Sequence, residues 1–122
     1  MTEKKAIVAD DMEGWRDVYR DAIQSRFPDI KVDEVERGID LVSRVLTGDY
    51  SLAITDNDMP EKNDGLEAIR KIRAAGNRTP IYMITGRSDV VLEALRYGAD
   101  GCYDKADFGK AEVMDEIGKH LK

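Results

Sequence analysis

Short apolar runs recur along the chain, and they predict buried β-strands. Three are continuous, at 6–9 (AIVA), 52–55 (LAIT) and 81–84 (IYMI), and two weaker ones lie at 32–35 and 101–103. A short run that is apolar throughout is typical of a strand covered on both faces, as in a parallel sheet. The pattern therefore predicts five strands.

Between these runs, apolar residues recur every three or four positions, which predicts amphipathic helices. Pro28 and Gly48 lie where two of these helices should end, and Pro80 stands where only the first residue of a strand tolerates proline. Five apolar stripes result: Trp15, Val18, Tyr19, Ala22 and Ile23; Ile39, Val42, Val45 and Leu46; Leu66, Ile69 and Ile72; Val91, Leu92 and Leu95; Val113, Met114, Ile117 and Leu121.

Regular alternation of strand and helix over 122 residues predicts one α/β domain spanning 1–122. Right-handed crossovers should give a doubly wound parallel sheet with helices on both faces. In such sheets, ligands bind beyond the carboxyl ends of the strands. The residues that follow the strands are therefore the candidates for function.

Composition narrows the possible functions. Hydrophobic residues make up 42% of the chain and charged residues 36%, and no apolar run approaches the length of a membrane span. No secretory signal is visible, and Cys102 is the single cysteine, so we expect a cytoplasmic protein without an internal disulfide. The net charge of −6 argues against direct binding to nucleic acid or to anionic lipid.

Acidic residues follow the strands at one edge of the predicted sheet. Asp10 and Asp11 end the first strand and Asp56 the third, while Thr85 ends the fourth and Lys105 follows the fifth. Gathered carboxylates repel one another unless a cation lies among them, and hard oxygen ligands suit Mg²⁺. With a lysine and a hydroxyl nearby, the set predicts phosphoryl chemistry with Asp56 as the nucleophile.

The sequence resembles the response-regulator receiver domains of two-component signalling, of the CheY-like chemotaxis-regulator type, over essentially its whole length. The matching features are Asp10-Asp11, the segment 49–56 ending in Asp56, Met59-Pro60, Gly65, Thr85-Gly86, Gly98-Ala99-Asp100 and Lys105.

The resemblance implies the flavodoxin-like strand order 2-1-3-4-5. It also implies that Asp56 accepts a phosphoryl group from a histidine kinase or a histidine phosphotransfer protein, while Thr85 and Lys105 hold the phosphoryl oxygens. The implied ligands of Mg²⁺, or of Mn²⁺, are Asp11, Asp56 and the Asp58 backbone carbonyl, with Asp10 acting through water.

A receiver of this kind catalyses only its own phosphorylation and dephosphorylation, so we do not expect an enzyme acting on external substrates. No output domain is expected within 1–122. By resemblance, a downstream protein should contact the fourth helix, fifth strand and fifth helix, including Val90, Arg96, Tyr97 and Tyr103.

Three departures from the family pattern affect the site. The loop from Pro60 to Gly65 has one extra residue, which predicts a reshaped loop beside the metal. Ala106 replaces the usual proline after Lys105, and a cis bond before alanine costs about 2.5–4 kcal/mol, so a trans bond is expected. Cys102 occupies the position of the usual switch aromatic, and Tyr103 should face the other side of the sheet.

A fourth departure is the pair Asp58 and Arg87, two residues past the phosphoacceptor and two past the threonine. We expect them to meet across the mouth of the site and to influence how water reaches the acyl phosphate.

The sequence also permits other interpretations of the site and of the function. Segment 56–67 resembles a calcium loop but lacks the glycine that its turn requires, and Asp56-Asn57-Asp58 resembles the paired aspartates of haloacid-dehalogenase phosphatases. The main alternative function is a receiver-like interaction module that phosphorylation does not control; a metal-dependent phosphohydrolase is a third. His120 is predicted to be solvated, and Trp15 to serve packing.

Overall fold

The predicted strands are all present in the computed structural model, which describes residues 4–122. They form one parallel sheet in the order β2-β1-β3-β4-β5, as the resemblance implied. The bounds are β1 (Lys5–Ala9), β2 (Lys31–Val35), β3 (Leu52–Thr55), β4 (Ile81–Thr85) and β5 (Gly101–Asp104).

Within residues 4–122, five helices alternate with these strands, which confirms the doubly wound α/β prediction. Short 3₁₀ segments at Ser88–Val90 and Lys105–Asp107 precede the last two. Among residues 4–122, no helix combines the length and the apolar character that crossing a membrane requires. The helices are α1 (Glu13–Arg26), α2 (Gly38–Thr47), α3 (Asp64–Ala74), α4 (Val91–Tyr97) and α5 (Ala111–Gly118).

The sheet divides the interior into two apolar layers, because neighbouring strand residues point to opposite faces. On β1, Ile7 and Ala9 enter the layer covered by α2, α3 and α4, whereas Ala6 and Val8 enter the layer beneath α1 and α5. β1 and β3 are central strands, and every residue of β3 is buried. Each of these two strands has a neighbouring strand on both sides, so the residues at their carboxyl ends lie in the interior of the sheet edge.

The predicted apolar stripe of α4 is wrong. Leu92 is 75% exposed and Leu95 is 45% exposed, while Val90 and Ala94 are buried instead. The 3₁₀ segment Ser88–Val90 precedes α4 and fixes the direction in which the helix starts. As a result, Val90 and Ala94 face the core in place of the two leucines. Three stripe residues on other helices are also exposed: Val18, Ile39 and Leu46.

Candidate metal and phosphoryl site

Parallel pairing of the two central strands places Asp10 beside Asp56. Ala9 is in register with Thr55, and the Asp56 backbone N–H donates to the Ala9 carbonyl at 2.9 Å. One carboxylate oxygen from each of Asp10, Asp11 and Asp56 lies within 4.8 Å of the others. The structure thus brings together the three acids that the sequence selected.

These three carboxylates differ in their surroundings. Asp10 is fully buried, Asp56 is 7% exposed and Asp11 is exposed. Oδ1 of Asp10 accepts from the Met12 backbone N–H at 3.0 Å, and its Oδ2 accepts from the Tyr19 hydroxyl at 2.8 Å. Asp10 is therefore held in place, and Asp11 stands at the solvent side of the cluster.

Asp56 lies in surroundings that disfavour its ionised form. Burial, and next to it the charge of Asp10, raise the pKa of Asp56 to about 6. Lys105 opposes this shift with its Nζ 3.3 Å from Oδ2, and the Asn57 backbone N–H donates to Oδ1 at 2.8 Å. A cation in this pocket would relieve the repulsion.

Lys105 bridges two of the acids, with Nζ 3.2 Å from Asp10 Oδ2 and 3.3 Å from Asp56 Oδ2. The same Nζ lies 4.6 Å from the centroid of the Trp15 ring, so Trp15 contacts the site as well as the core. The bond to Ala106 is trans, as expected, and Asp104 Oδ1 accepts from the Ala106 N–H at 2.8 Å.

The donor set fits a hard divalent cation. Three carboxylates converge, with one exposed at the mouth, and Mg²⁺ is commonly bound by one or two carboxylates while it keeps several waters. Within residues 4–122, this is the one group of three or more acids, histidines or cysteines arranged to hold a metal ion.

Thr85 and Asp58 lie at the same edge but make other contacts. Thr85 is 4% exposed, and its Oγ1 accepts from the Arg87 backbone N–H at 3.2 Å. The Asp58 side chain points away from the acidic cluster to Arg87, whose Nη1 is 3.2 Å from Oδ1 and 3.3 Å from Oδ2. The expected pairing of Asp58 with Arg87 is therefore confirmed.

Asn57 is a residue that the sequence analysis missed. It is fully buried, and its side chain donates to Asn63 Oδ1 at 3.0 Å and accepts from the Leu66 N–H at 3.2 Å. These bonds fix the loop after β3 to the start of α3. A polar residue next to Asp56 was the only signal in the sequence, and it does not distinguish an anchor from a turn.

Cys102, at the usual switch position, and its neighbour Tyr103 point to opposite faces of β5, as predicted. Cys102 packs on the α3–α4 side, where burial raises the pKa of its thiol to about 11. Tyr103 stacks on Tyr82 at 6.2 Å on the other side.

The prediction that His120 is solvated is wrong. His120 Nε2 lies 2.7 Å from the hydroxyl of Tyr82, and the side chain is half-buried against that ring. It lies in the turn that follows α5 and is hydrogen-bonded to a buried tyrosine.

Comparison with known proteins agrees with the fold. A family model described as the response regulator receiver domain matches residues 6–117. The chain is 36% identical over 101 residues to the transcriptional regulatory protein DltR of Streptococcus agalactiae serotype III (strain NEM316), covering 80% of this chain and 44% of DltR. It is 32% identical over 88 residues to the transcriptional regulatory protein CusR of Escherichia coli K12, covering 70% of this chain and 38% of CusR. The chain thus spans less than half the length of these relatives.

Solved structures give the same fold. The response regulator TrrA of Thermotoga maritima, determined in complex with Mg²⁺ and BeF, superposes with a TM-score of 0.81 at 26% identity, covering 97% of this chain and 99% of that one. The signal receiver domain of NarL from Mycobacterium tuberculosis superposes with a TM-score of 0.82 at 22% identity, covering 98% of each chain.

Proposed function

Because this chain belongs to the response regulator receiver domain family of two-component systems, we propose that it is a phosphorylation-controlled switch with Asp56 as the phosphoacceptor. The observation that carries the proposal is the position of Asp56 at the end of β3, beside two further acids and with Lys105 Nζ 3.3 Å away.

The proposed donor is a phosphohistidine on a histidine kinase or a histidine phosphotransfer protein. A carboxylate oxygen of Asp56 attacks phosphorus, the new O–P bond forms, and the P–N bond breaks with its electron pair returning to the imidazole. Lys105 and the Thr85 hydroxyl would then contact the phosphoryl oxygens. In dephosphorylation, water attacks phosphorus and the O–P bond to Asp56 breaks.

Asp11, Asp56 and the Asp58 backbone carbonyl are the proposed ligands of Mg²⁺ or Mn²⁺, with Asp10 contributing through water. When bound, such an ion neutralises charge that develops on the phosphoryl oxygens. One carboxylate oxygen from each of Asp10, Asp11 and Asp56 lies within 4.8 Å of the others, which supports this assignment.

Phosphorylation adds about 1.5–2 negative charges, and the proposed output is a shift between two conformations. The face formed by α4, β5 and α5 is the proposed contact for a downstream protein. Its composition differs from the expectation at one residue: Val90 is 2% exposed and packs in the core, whereas Leu92 and Leu95 are exposed. The relatives DltR and CusR are transcriptional regulatory proteins, which agrees with a signalling role.

The test is mass spectrometry after incubation with Mg²⁺ and a small-molecule phosphodonor such as acetyl phosphate. One phosphate on the wild type and none on Asp56→Asn is the expected result, and Asp49→Asn, which changes an exposed acid before β3, should behave as wild type. No adduct on any variant would favour the interaction module that phosphorylation does not control. Continuous phosphate release that Asp56→Asn abolishes would favour a phosphohydrolase.

A further inference from the structure

A buried hydroxyl stands directly behind the acidic cluster. Tyr19 lies on α1 with no exposed surface, and its hydroxyl donates to Asp10 Oδ2 at 2.8 Å. Its ring packs edge-on against Phe108 at 5.1 Å and lies 6.0 Å from the Trp15 ring. The ring packing would be the same for phenylalanine, so the hydroxyl must be explained by its contact with Asp10.

Two donors share the same oxygen of Asp10. Lys105 Nζ lies 3.2 Å from Oδ2, the atom that also accepts from Tyr19, while Oδ1 accepts from the Met12 backbone N–H. Both oxygens of Asp10 are thereby fixed in direction. Without the Tyr19 hydroxyl, Asp10 Oδ2 would interact with Lys105 more strongly. The ammonium group would then move further into the pocket that a cation must enter.

We propose that Tyr19 is a positioning residue of the metal site. Its hydroxyl fixes the Asp10 carboxylate and weakens the ion pair of Asp10 with Lys105, so that a divalent cation binds more tightly. The inference rests on the proposed function, because it assigns a role toward the metal that Asp11 and Asp56 would bind. Hydrogen-bond partners behind metal-site carboxylates commonly contribute a factor of about 10–100 to metal affinity.

Tyr19→Phe removes one oxygen atom and keeps the ring. Its matched control is Tyr82→Phe, since Tyr82 is also fully buried and its hydroxyl also hydrogen-bonds, to Glu116 at 2.9 Å and to His120 at 2.7 Å. That hydroxyl contacts α5 and not the acidic cluster. Each variant removes the hydroxyl of a buried tyrosine together with its hydrogen bonds, so an effect of general loosening should appear in both.

The measurement is Mg²⁺ affinity by calorimetry, together with the Mg²⁺ dependence of Asp56 phosphorylation by acetyl phosphate. For Tyr19→Phe we expect the dissociation constant and the half-saturating Mg²⁺ concentration to rise about tenfold. At saturating Mg²⁺ the phosphorylation rate should stay within about twofold of wild type, because the metal site is then filled. Tyr82→Phe should match wild type in all three quantities.

Equal Mg²⁺ affinity in wild type and Tyr19→Phe would overturn the role of Tyr19 and leave the proposed switch intact. The same loss of affinity in Tyr82→Phe would also overturn it, because the effect would then be one of stability. If the wild type binds no Mg²⁺, the metal site itself is wrong and this inference falls with it.

Discussion

The ionised Asp56 carboxylate opposes the stability of the fold in the absence of a metal. Its pKa is raised from 3.8 to about 6, chiefly by burial, so the folded state binds its proton more tightly than the unfolded state does. Stability should therefore fall as pH rises between these two values, and the cost is fully present above pH 6. The difference corresponds to roughly 2–3 kcal/mol.

Asp56→Asn should accordingly stabilise the metal-free protein at pH 8, by roughly 2–3 kcal/mol at most, because it removes the buried charge and keeps the shape. Urea unfolding in EDTA at a series of pH values measures this. The gain should shrink as pH falls from 6 toward 4, where the wild-type carboxyl is protonated in the folded state. Asp49→Asn, an exposed acid, should show no such trend, and equal stability of wild type and Asp56→Asn at pH 8 would contradict the argument.

The Asp58–Arg87 pair is expected to act on kinetics. Arg87 Nη1 lies 3.2 Å from Asp58 Oδ1 and both side chains are partly exposed, so the contact adds little to stability. Because Asp58 follows β3 and Arg87 follows β4, we expect the pair to cross the mouth of the site. Removing it should let water reach the acyl phosphate more easily.

Asp58→Ala and Arg87→Ala should therefore each shorten the lifetime of phosphorylated Asp56 severalfold, with little change in stability. Loss of phosphate after removal of the donor, followed by mass spectrometry, measures this. Asp89→Ala is the control, because it removes a different partner of Arg87, 2.9 Å from Nη2, and leaves the contact with Asp58. An unchanged lifetime in both test variants would refute the role of the pair.

At the scale of elements, the sequence predicted the strands best. An apolar run of four or five residues defines a buried strand almost regardless of its neighbours, and the residue that follows each run is then placed at the edge of the sheet. Asp10, Asp56 and Lys105 could be brought together on that basis alone. The strand order came from the resemblance to a family.

Helix faces and hydrogen bonds were harder to predict. Two leucines on α4 were assigned to the core because periodicity alone does not fix which face of a short helix turns inward, and a 3₁₀ entry segment decided it. The hydrogen bonds of Tyr19 and Asn57 were not predicted, because a stripe pattern records apolar character and does not indicate where a hydroxyl or an amide points. The same reason explains the error at His120.

The loop that joins β3 to α3 depends on Gly65. A Cβ at this position would lie 2.0 Å from the Asp56 carbonyl oxygen and 2.9 Å from the Asn57 Cα. Both are backbone atoms, so a side-chain rotation cannot relieve the clash with an added Cβ. The helix start therefore packs directly against the backbone of the phosphoacceptor, which ties the shape of the site to the identity of this residue.

Gly65→Ala should destabilise the protein by about 1–3 kcal/mol and slow Asp56 phosphorylation, because the loop must shift away from α3. Thermal unfolding and the mass assay measure the two effects. Gly14→Ala is the control: it lies in α1 with no atom within 4 Å of the added Cβ, and alanine in a helix is favoured by about 0.5–1 kcal/mol. Equal phosphorylation and stability in Gly65→Ala and wild type would show that the loop is more tolerant than its packing suggests.

Across the whole molecule, the acidic site and one strongly bonded structural side chain lie at opposite edges of the sheet. The acids and Lys105 lie at the carboxyl ends of the strands, whereas Arg73 of α3 ties together segments at the other edge. Its guanidinium donates to the carbonyls of Gly98, Asn77 and Thr79, at 3.0, 3.0 and 2.8 Å. It also contacts Asp100 at 3.0 Å, so one side chain links α3 to the entries of β4 and β5.

Arg73→Ala should therefore cost about 2–4 kcal/mol of unfolding free energy, because several acceptors lose a charged donor at once. Urea denaturation measures this, with Arg78→Ala, which changes an exposed arginine in the loop between α3 and β4, as the control. Mg²⁺ affinity of the folded variant should equal that of wild type, since α3 reaches the site through the loop after β3 and not through Arg73. A parallel loss of stability and of Mg²⁺ affinity would mean that the two edges are coupled, and that the site depends on the packing of the whole sheet.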